Sequence, residues 1–517
     1  IPLRADAPPL ACRFLLGISL FSGYDGVQFD TRRATLFTRP FAPSRTMMPL
    51  SRRELLCRCG LGIGALGLAD LFAAEASSPL AAKNPHFKPK AKRVLHIFAE
   101  GGPSHVDTFD PKPALDKFHG KPVQEVYADY IKNAPKEASD MGRLSGKLQR
   151  SAFKFGKHGK SGTEVSELFP MLAKHVDDLC VVRSMFTKSS VHEPAQLMMS
   201  TGELTLVRPS MGSWVTYGLG TENQNLPAFV ALAPSGTTAS GEKHWSSAFL
   251  PSYTQGTGIA TRNATAEKMI ENIRSGSTSL REQRRQIELL KAMNADFAGK
   301  RGPGEDALDG RIHAFETAFR MQVEAQEAFD ITREPTAVRE LYGDTEQGRQ
   351  LLLARRLLER GVRFVQAWHT GWDTHDYNDE EHKKLAKACD QPLAALLTDL
   401  KRLGMLDDTL VLWGGEFGRT PTSDNNDVAK KKSIGRDHNA GAFTVWMAGG
   451  GVKPGTVYGN TDEFGAIAAE NRTEVHDLHA TILHLLGMDH TRLTYRYAGR
   501  DFRLTDVHGH VVKGILA

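Results

Sequence analysis

The sequence predicts an α/β fold: a mostly parallel sheet sandwiched by helices, with a helical insertion. Apolar runs of strand length alternate with longer helical patterns over most of the chain, which is how strand–helix–strand units read. Acidic and histidine residues recur beside the ends of those runs, where an open parallel sheet places its ligands. No internal repeat of fixed period competes with this reading. With 517 residues, 40% apolar and 24% charged, the chain can bury one large core.

The elements follow in order. Arg93-Val94-Leu95-His96-Ile97-Phe98-Ala99 reads as a buried strand running into the turn Glu100-Gly101-Gly102-Pro103, then Ser104, His105 and Asp107. Lys112 to Gly162 is a polar, irregular excursion. Val165 to Val176 reads as a helix leading into the strand Leu179 to Arg183. Val191 to Met199 begins a helix, and Leu226 to Leu232 is a third strand-like run. Residues 262–360 turn helical and strongly charged, an insertion whose charge runs read as solvated faces. Arg363 to Trp368 is the next strand, opening into His369-Thr370-Gly371-Trp372-Asp373-Thr374-His375. A helix from about His382 to Leu403 leads to the strand Thr409 to Trp413, which ends at Gly414-Gly415-Glu416-Phe417-Gly418-Arg419. Asp437-His438 precedes the strand Phe443 to Met447, and Glu474 to Leu486 is the last helix.

The first 76 residues read as something other than fold. Residues 1–46 lack any sustained period and are expected to be a spurious upstream extension, with translation starting at Met47 or Met48. Residues 47–76 read as an export signal: Ser51-Arg52-Arg53-Glu54-Leu55-Leu56 matches a twin-arginine motif. The short apolar run Leu61 to Phe72 and the small-x-small site Ala74-Glu75-Ala76 follow it. The run is too short to span a bilayer. Residues 77–91 form a polar linker, and residues 92–517 a single domain. Periplasmic or extracellular localisation follows, by a route that carries folded proteins.

Charge excludes one class of partner. Of the net +5, nine arginines against six acids fall in residues 1–76, so about +2 remains for the rest. No basic tract with interleaved aromatics occurs, so no nucleic-acid role is expected. Only Cys180 and Cys389 lie beyond the signal, and a distant pair is no disulfide framework; both read as ordinary thiols.

Four clusters carry chemistry: Ser104/His105/Asp107, Asp373/His375, Glu416, and Asp437/His438. Carboxylate oxygen with imidazole nitrogen suits zinc, manganese or a similar divalent cation, and the clusters supply ligands for one or two ions. Asp107, Asp373, His375, Glu416, Asp437 and His438 are the metal candidates. His476 and His479, one turn apart on a helix, read as packing and capping residues.

The segments Gly101 to Asp110, Gly371 to His375, Gly415 to Pro421, Gly435 to His438 and His476 to Thr481 resemble the bacterial, planctomycete-type family known as domain of unknown function 1501. That family belongs to the alkaline phosphatase/sulfatase-like clan. The resemblance covers about Arg93 to Gly509. It implies an alkaline phosphatase-like sheet, divalent metal ions (zinc, manganese or calcium), and hydrolysis or transfer of phosphate or sulfate esters. Asp107 resembles the clan's first-strand ligand, Asp373 and His375 its mid-chain pair, and His438 its late histidine. Glu416-Phe417 stands where the clan has Asp-His. His192-Glu193-Pro194-Ala195-Gln196 stands where sulfatases read Cys-x-Pro-x-Arg, so the sulfatase nucleophile is absent. His192 is then a metal ligand, a nucleophile or acid/base group, or a structural residue.

The expected activity is metal-dependent hydrolysis of a small-molecule or polysaccharide phosphate or sulfate ester. His192, Ser104 and His105 are the catalytic candidates. Arg419 and Arg436 are placed to hold the anion, since guanidinium matches phosphate and sulfate bidentately. The alternative is a non-catalytic polysaccharide- or partner-binding protein on the same fold. Replacing Arg52 and Arg53 together by Lys should leave the protein in the cytoplasm with its signal attached. Fractionation that still recovers it outside would end the twin-arginine reading.

Overall fold

The structure is a computed structural model. It describes residues 80–127, 144–263, 265–270, 279–301, 306–423 and 435–517. The chain divides into two compact units, 1–69 and 70–517, and every described residue belongs to the second. The upstream extension, the start codons, the twin-arginine motif and the cleavage site lie outside the described residues.

Among the described residues, nine strands build the main sheet. They are β1 (Arg93–Ala99), β2 (Leu179–Phe186), β3 (Phe229–Ala233), β4 (Thr257–Ala260), β5 (Phe364–His369), β6 (Thr409–Gly414), β7 (Phe443–Ala448), β8 (Thr456–Tyr458) and β9 (Thr473–Glu474). Their order is β8-β2-β7-β6-β1-β5-β3-β4, with β9 paired to β2. β1 lies at the centre, parallel to β5 on one side and to β6 on the other. β3 and β4 continue the parallel half. β7 runs antiparallel to both β6 and β2, so β2 shares the sense of the central strands.

Both faces of the sheet are covered. Side chains alternate across a strand, and β1 shows the consequence: Leu95, Ile97 and Ala99 join one core, Val94 and Phe98 the other. The helices are α1 (His192–Thr201), α2 (Met211–Leu219), α3 (Leu280–Arg301), α4 (Asp306–Phe329), α5 (Glu346–Glu359), α6 (Asn378–Arg402) and α7 (Val475–Leu485). α4, α5 and α6 pack on the first face; α1, α2 and α7 pack on the second. In α6 the buried Ala386, Cys389, Leu393, Leu396, Leu397 and Leu400 recur at helical spacing, which gives the helix its apolar stripe. Among the described residues no helix is long and apolar enough to cross a membrane. Cys180 and Cys389 are both free and buried.

The structure departs from the sequence reading in three places. Val165 to Val176 is not one helix: Thr163–Ser166 pairs in a hairpin with Phe155–His158, and a 3-10 turn covers Leu172–Asp178. Pro170 lies between them, and a proline denies an α-helix both an amide donor and room for its ring. β7 departs from the parallel sense of the other central strands, pairing antiparallel with both β6 and β2. The charged segment 262–360 is not solvated throughout. Its last helix, α5, is buried over most of its length, and Arg355 and Arg356 are almost fully buried within it.

Those arginines are matched. Arg355 Nε lies 2.9 Å from Asp399 Oδ2 and its Nη2 2.6 Å from Glu334 Oε2. Arg402 and Tyr342 complete the surroundings of the fully buried Asp399. Removing one partner of a buried pair leaves the other desolvated and uncompensated. Asp399→Ala should therefore cost about 3–5 kcal/mol of stability in denaturant unfolding. Arg284→Ala, which removes a surface pair with Glu288 on α3, should leave the midpoint unchanged.

Candidate metal centre

Sheet polarity brings the site together. β1, β5, β6 and β2 end at the same edge, so Glu100, Asp373 with His375, Glu416 and His192 emerge side by side. β7 is antiparallel, and so His438, which precedes it, enters from that edge as well. The strand-end loops approach closely enough to demand glycine. Gly101 sits at φ 110°, and a Cβ there would strike the backbone of Trp372 and Asp373. Gly435 packs against the backbone of His375 with no room for a side chain.

Asp373 is the hub. Its Oδ1 lies 3.0 Å from His375 Nε2 and 3.0 Å from His438 Nε2, and its Oδ2 lies 3.2 Å from His192 Nε2. The two Nε2 atoms of His375 and His438 are 2.9 Å apart. Arg419 donates to the same oxygen, Asp373 Oδ1, at 2.6 Å. Burial opposes charge on this carboxylate, but hydrogen bonds from the three histidines and the Arg419 charge overcome it and hold its pKa far below the usual range. Asp437 joins from His375, with Oδ1 3.9 Å from Nδ1. Two groups of three can hold an ion among the described residues: His192/Asp373/His438 and His375/Asp437/His438.

The other nitrogens are committed. His192 Nδ1 is 2.7 Å from Glu416 Oε1, and His438 Nδ1 is 2.7 Å from the Ser190 carbonyl. Glu416 is fully buried and also accepts from Gly101 N–H and the Gln196 amide. It orients His192 and belongs to neither ligand group, although the sequence reading made it a ligand. Burial works against a proton on His192, but hydrogen bonds to Asp373 and Glu416 raise its pKa to about 9.

The structure separates Asp107 from this cluster. It is fully buried against Arg436, with Nε to Oδ2 at 2.7 Å, and accepts from Ser104 Oγ at 2.5 Å and Asn378 at 3.1 Å. Burial would raise its pKa, but the Arg436 charge and hydrogen bond hold it well below the ordinary range. Arg436 also donates to the carbonyls of Thr420, Gln149 and Arg150. Arg419 donates to those of Gly101, Gly102 and Arg436. Both guanidiniums are inaccessible, so neither faces an anion from the pocket as the sequence reading had it. Ser104 is buried with its hydroxyl on Asp107. His105 is buried with Nε2 on the Gly465 carbonyl at 2.7 Å. Neither reaches the cluster. His476 and His479 bond the carbonyls of Gly202 and Met199, the capping role expected of them.

Sequence reasoning missed Glu100 and Gln196. Glu100 stands at the carboxyl end of the central strand, the signal that could have found it. Burial and the neighbouring Glu416 push its carboxyl up to about 7, with His192 and Gln196 opposing. A pocket of about 930 Å³ opens beside Asp437 and His438, bounded by Thr187, Lys188, Arg472 and His508.

The residues fit a divalent cation. Ligands at 2.0–2.2 Å around a tetrahedral ion stand about 3.3–3.6 Å from each other; the separations of 2.9, 3.0, 3.0 and 3.2 Å are a few tenths of an ångström shorter, so a small outward shift of the side chains would admit the ion. His192 Nε2 is buried and faces Asp373 Oδ2 at 3.2 Å, so it is turned into the cluster.

A family model described as "Protein of unknown function (DUF1501)" matches residues 91–516. No curated protein matches the chain. Similar solved structures include the alkaline phosphatase of the Antarctic bacterium TAB5, at 13% identity, 78% of this chain, 99% of that one and TM-score 0.30. The PsFucS1 sulfatase from Pseudoalteromonas sp. shows 11% identity over 81% of this chain and 70% of its own, with TM-score 0.31. A phosphonate monoester hydrolase from Silicibacter pomeroyi shows 14% identity over 62% and 68%, with TM-score 0.29.

Two kinds of variant should separate by metal analysis and thermal unfolding. Asp373→Ala and His438→Ala should lose bound divalent metal, and Glu416→Gln should weaken it about 10–100-fold by loosening His192. Asp107→Ala should keep the metal but lose about 3–5 kcal/mol of stability, because Arg436 is left buried without its partner.

Proposed function

This chain belongs to the DUF1501 family, and on that footing we propose that it is an exported, metal-dependent hydrolase of phosphate or sulfate esters. The convergence of His192, Asp373, His375 and His438 at one sheet edge, with His438 and Asp437 also lining a pocket of about 930 Å³, carries the reading. His192, Asp373, His375, Asp437 and His438 would hold zinc, manganese or a similar ion, which supplies Lewis-acid polarisation of an ester oxygen when bound.

The chain's own groups divide the remaining work. Glu416 and the Ser190 carbonyl fix the ring orientations of His192 and His438. Arg419 keeps Asp373 ionised and in place. His192 has one nitrogen on Glu416 and the other facing Asp373, which supports the ligand reading over the nucleophile reading. Ser104 is held on Asp107 away from the pocket. Water entering the pocket is then the attacking group. Glu100, beside Glu416 and His192 and with its carboxyl pushed up to about 7, is the proposed acceptor of a water's proton at the cluster. The same lack of a side-chain nucleophile favours the second reading, a non-catalytic polysaccharide- or partner-binding protein.

Turnover decides between them. The purified protein should hydrolyse an aryl phosphate or aryl sulfate, stop in chelator, and recover with zinc or manganese. Glu100→Gln should lower kcat about 10²–10⁴-fold with metal content unchanged. Metal-loaded protein that turns over neither ester class would pass to the binding reading.

A further inference from the structure

We infer that the site takes one divalent cation per chain, and that the buried guanidinium of Arg436 stands beside Asp107 in place of a second. The inference rests on reading the cluster as a cation site and goes beyond it by fixing the count.

The first argument is the shared histidine. Both candidate groups include His438. Its Nδ1 lies 2.7 Å from the Ser190 carbonyl, an atom that only accepts, so Nδ1 carries the proton. The lone pair is therefore on Nε2, and one lone pair serves one cation. His438 Nε2 is 2.9 Å from His375 Nε2 and 3.0 Å from Asp373 Oδ1, too close together for these atoms to serve two separate ions and close enough to share one centre. The two groups thus describe one position seen from two sides.

The second argument is the fate of Glu416 and Asp107, the two carboxylates the sequence reading made ligands that fall outside both groups; Glu100 also belongs to neither. A second ion needs acidic ligands of its own. Glu416 Oε1 is taken by His192, Gln196 and Gly101 N–H. Asp107 Oδ2 accepts from Ser104, Asn378 and Arg436, and Oδ1 lies 3.3 Å from Arg436 Nη2. Its charge is already balanced by a guanidinium with no exposed surface, itself tied to three backbone carbonyls. A metal ion at Asp107 would have to displace that fully buried guanidinium from its carboxylate and carbonyl partners. Arg419 places a second fixed positive charge on Asp373, and this too disfavours another dication nearby.

The test is a count. Metal-free full-length protein is titrated calorimetrically with Zn²⁺ and, separately, Mn²⁺, and the loaded protein is analysed for metal after desalting. One ion per chain is expected with either metal. His438→Ala and the milder His438→Gln should abolish binding entirely, since neither group survives without that nitrogen. Asp107→Asn should still bind one. Two ions per chain, with one lost in Asp107→Asn or one retained in His438→Gln, would overturn the count while leaving the cation site standing. Wild-type protein that binds no ion would overturn both.

Discussion

The carboxylate of Asp373 is the group on which the arrangement of the site depends. It meets an inaccessible guanidinium and two imidazoles at Oδ1 and a third imidazole at Oδ2. Imidazoles bring no negative charge, so without a carboxylate between them they would not stay gathered around one point. Arg419 in turn keeps that carboxylate ionised and fixed. Because Arg419 also donates to backbone carbonyls of the loops after β1 and before β7, the position of Asp373 is coupled to loops from three separate strands.

A second buried pair does comparable work one layer deeper. Arg436 and Asp107 are both inaccessible, and such pairs are weak evidence for net stability, since desolvation opposes their attraction. Their consequence here is positional. Arg436 joins the 420, 436 and 149–150 segments through carbonyls, and Asp107 gathers Ser104 and Asn378. The loop bearing His438 is thereby pinned to the turn after β1. A metal centre needs its ligands held to fractions of an ångström, and two internal cations supply the fixed points.

The reversal of β7 serves the same end. In an all-parallel sheet the segment before a strand emerges at the opposite edge from the segments after its neighbours. Running β7 antiparallel to β6 and β2 brings His438 to the edge where β1, β5 and β6 finish. The glycines at 101 and 435 then permit backbone contact between those loops.

Much of this was legible in the sequence. Apolar run length and spacing located β1, β2, β5, β6 and β7 and the helices α6 and α7, because burial on both faces of a sheet leaves an uninterrupted apolar signature. Acids and histidines beside strand ends marked Asp373, His375, Asp437 and His438, since an α/β sheet exposes those ends together. The sequence could not say which acid meets which cation. Asp107, Glu416, Arg419 and Arg436 carry the same residue types whether they face a metal, an anion or one another, and only distance separates those cases. Glu100 stands at the end of the central strand, where the pattern pointed, but its environment is set only when the fold brings Glu416 and His192 beside it. Pattern along a chain is decided by solvent, residue by residue; the partner of a charge is decided by what the fold brings within a few ångströms, and that information exists only in three dimensions.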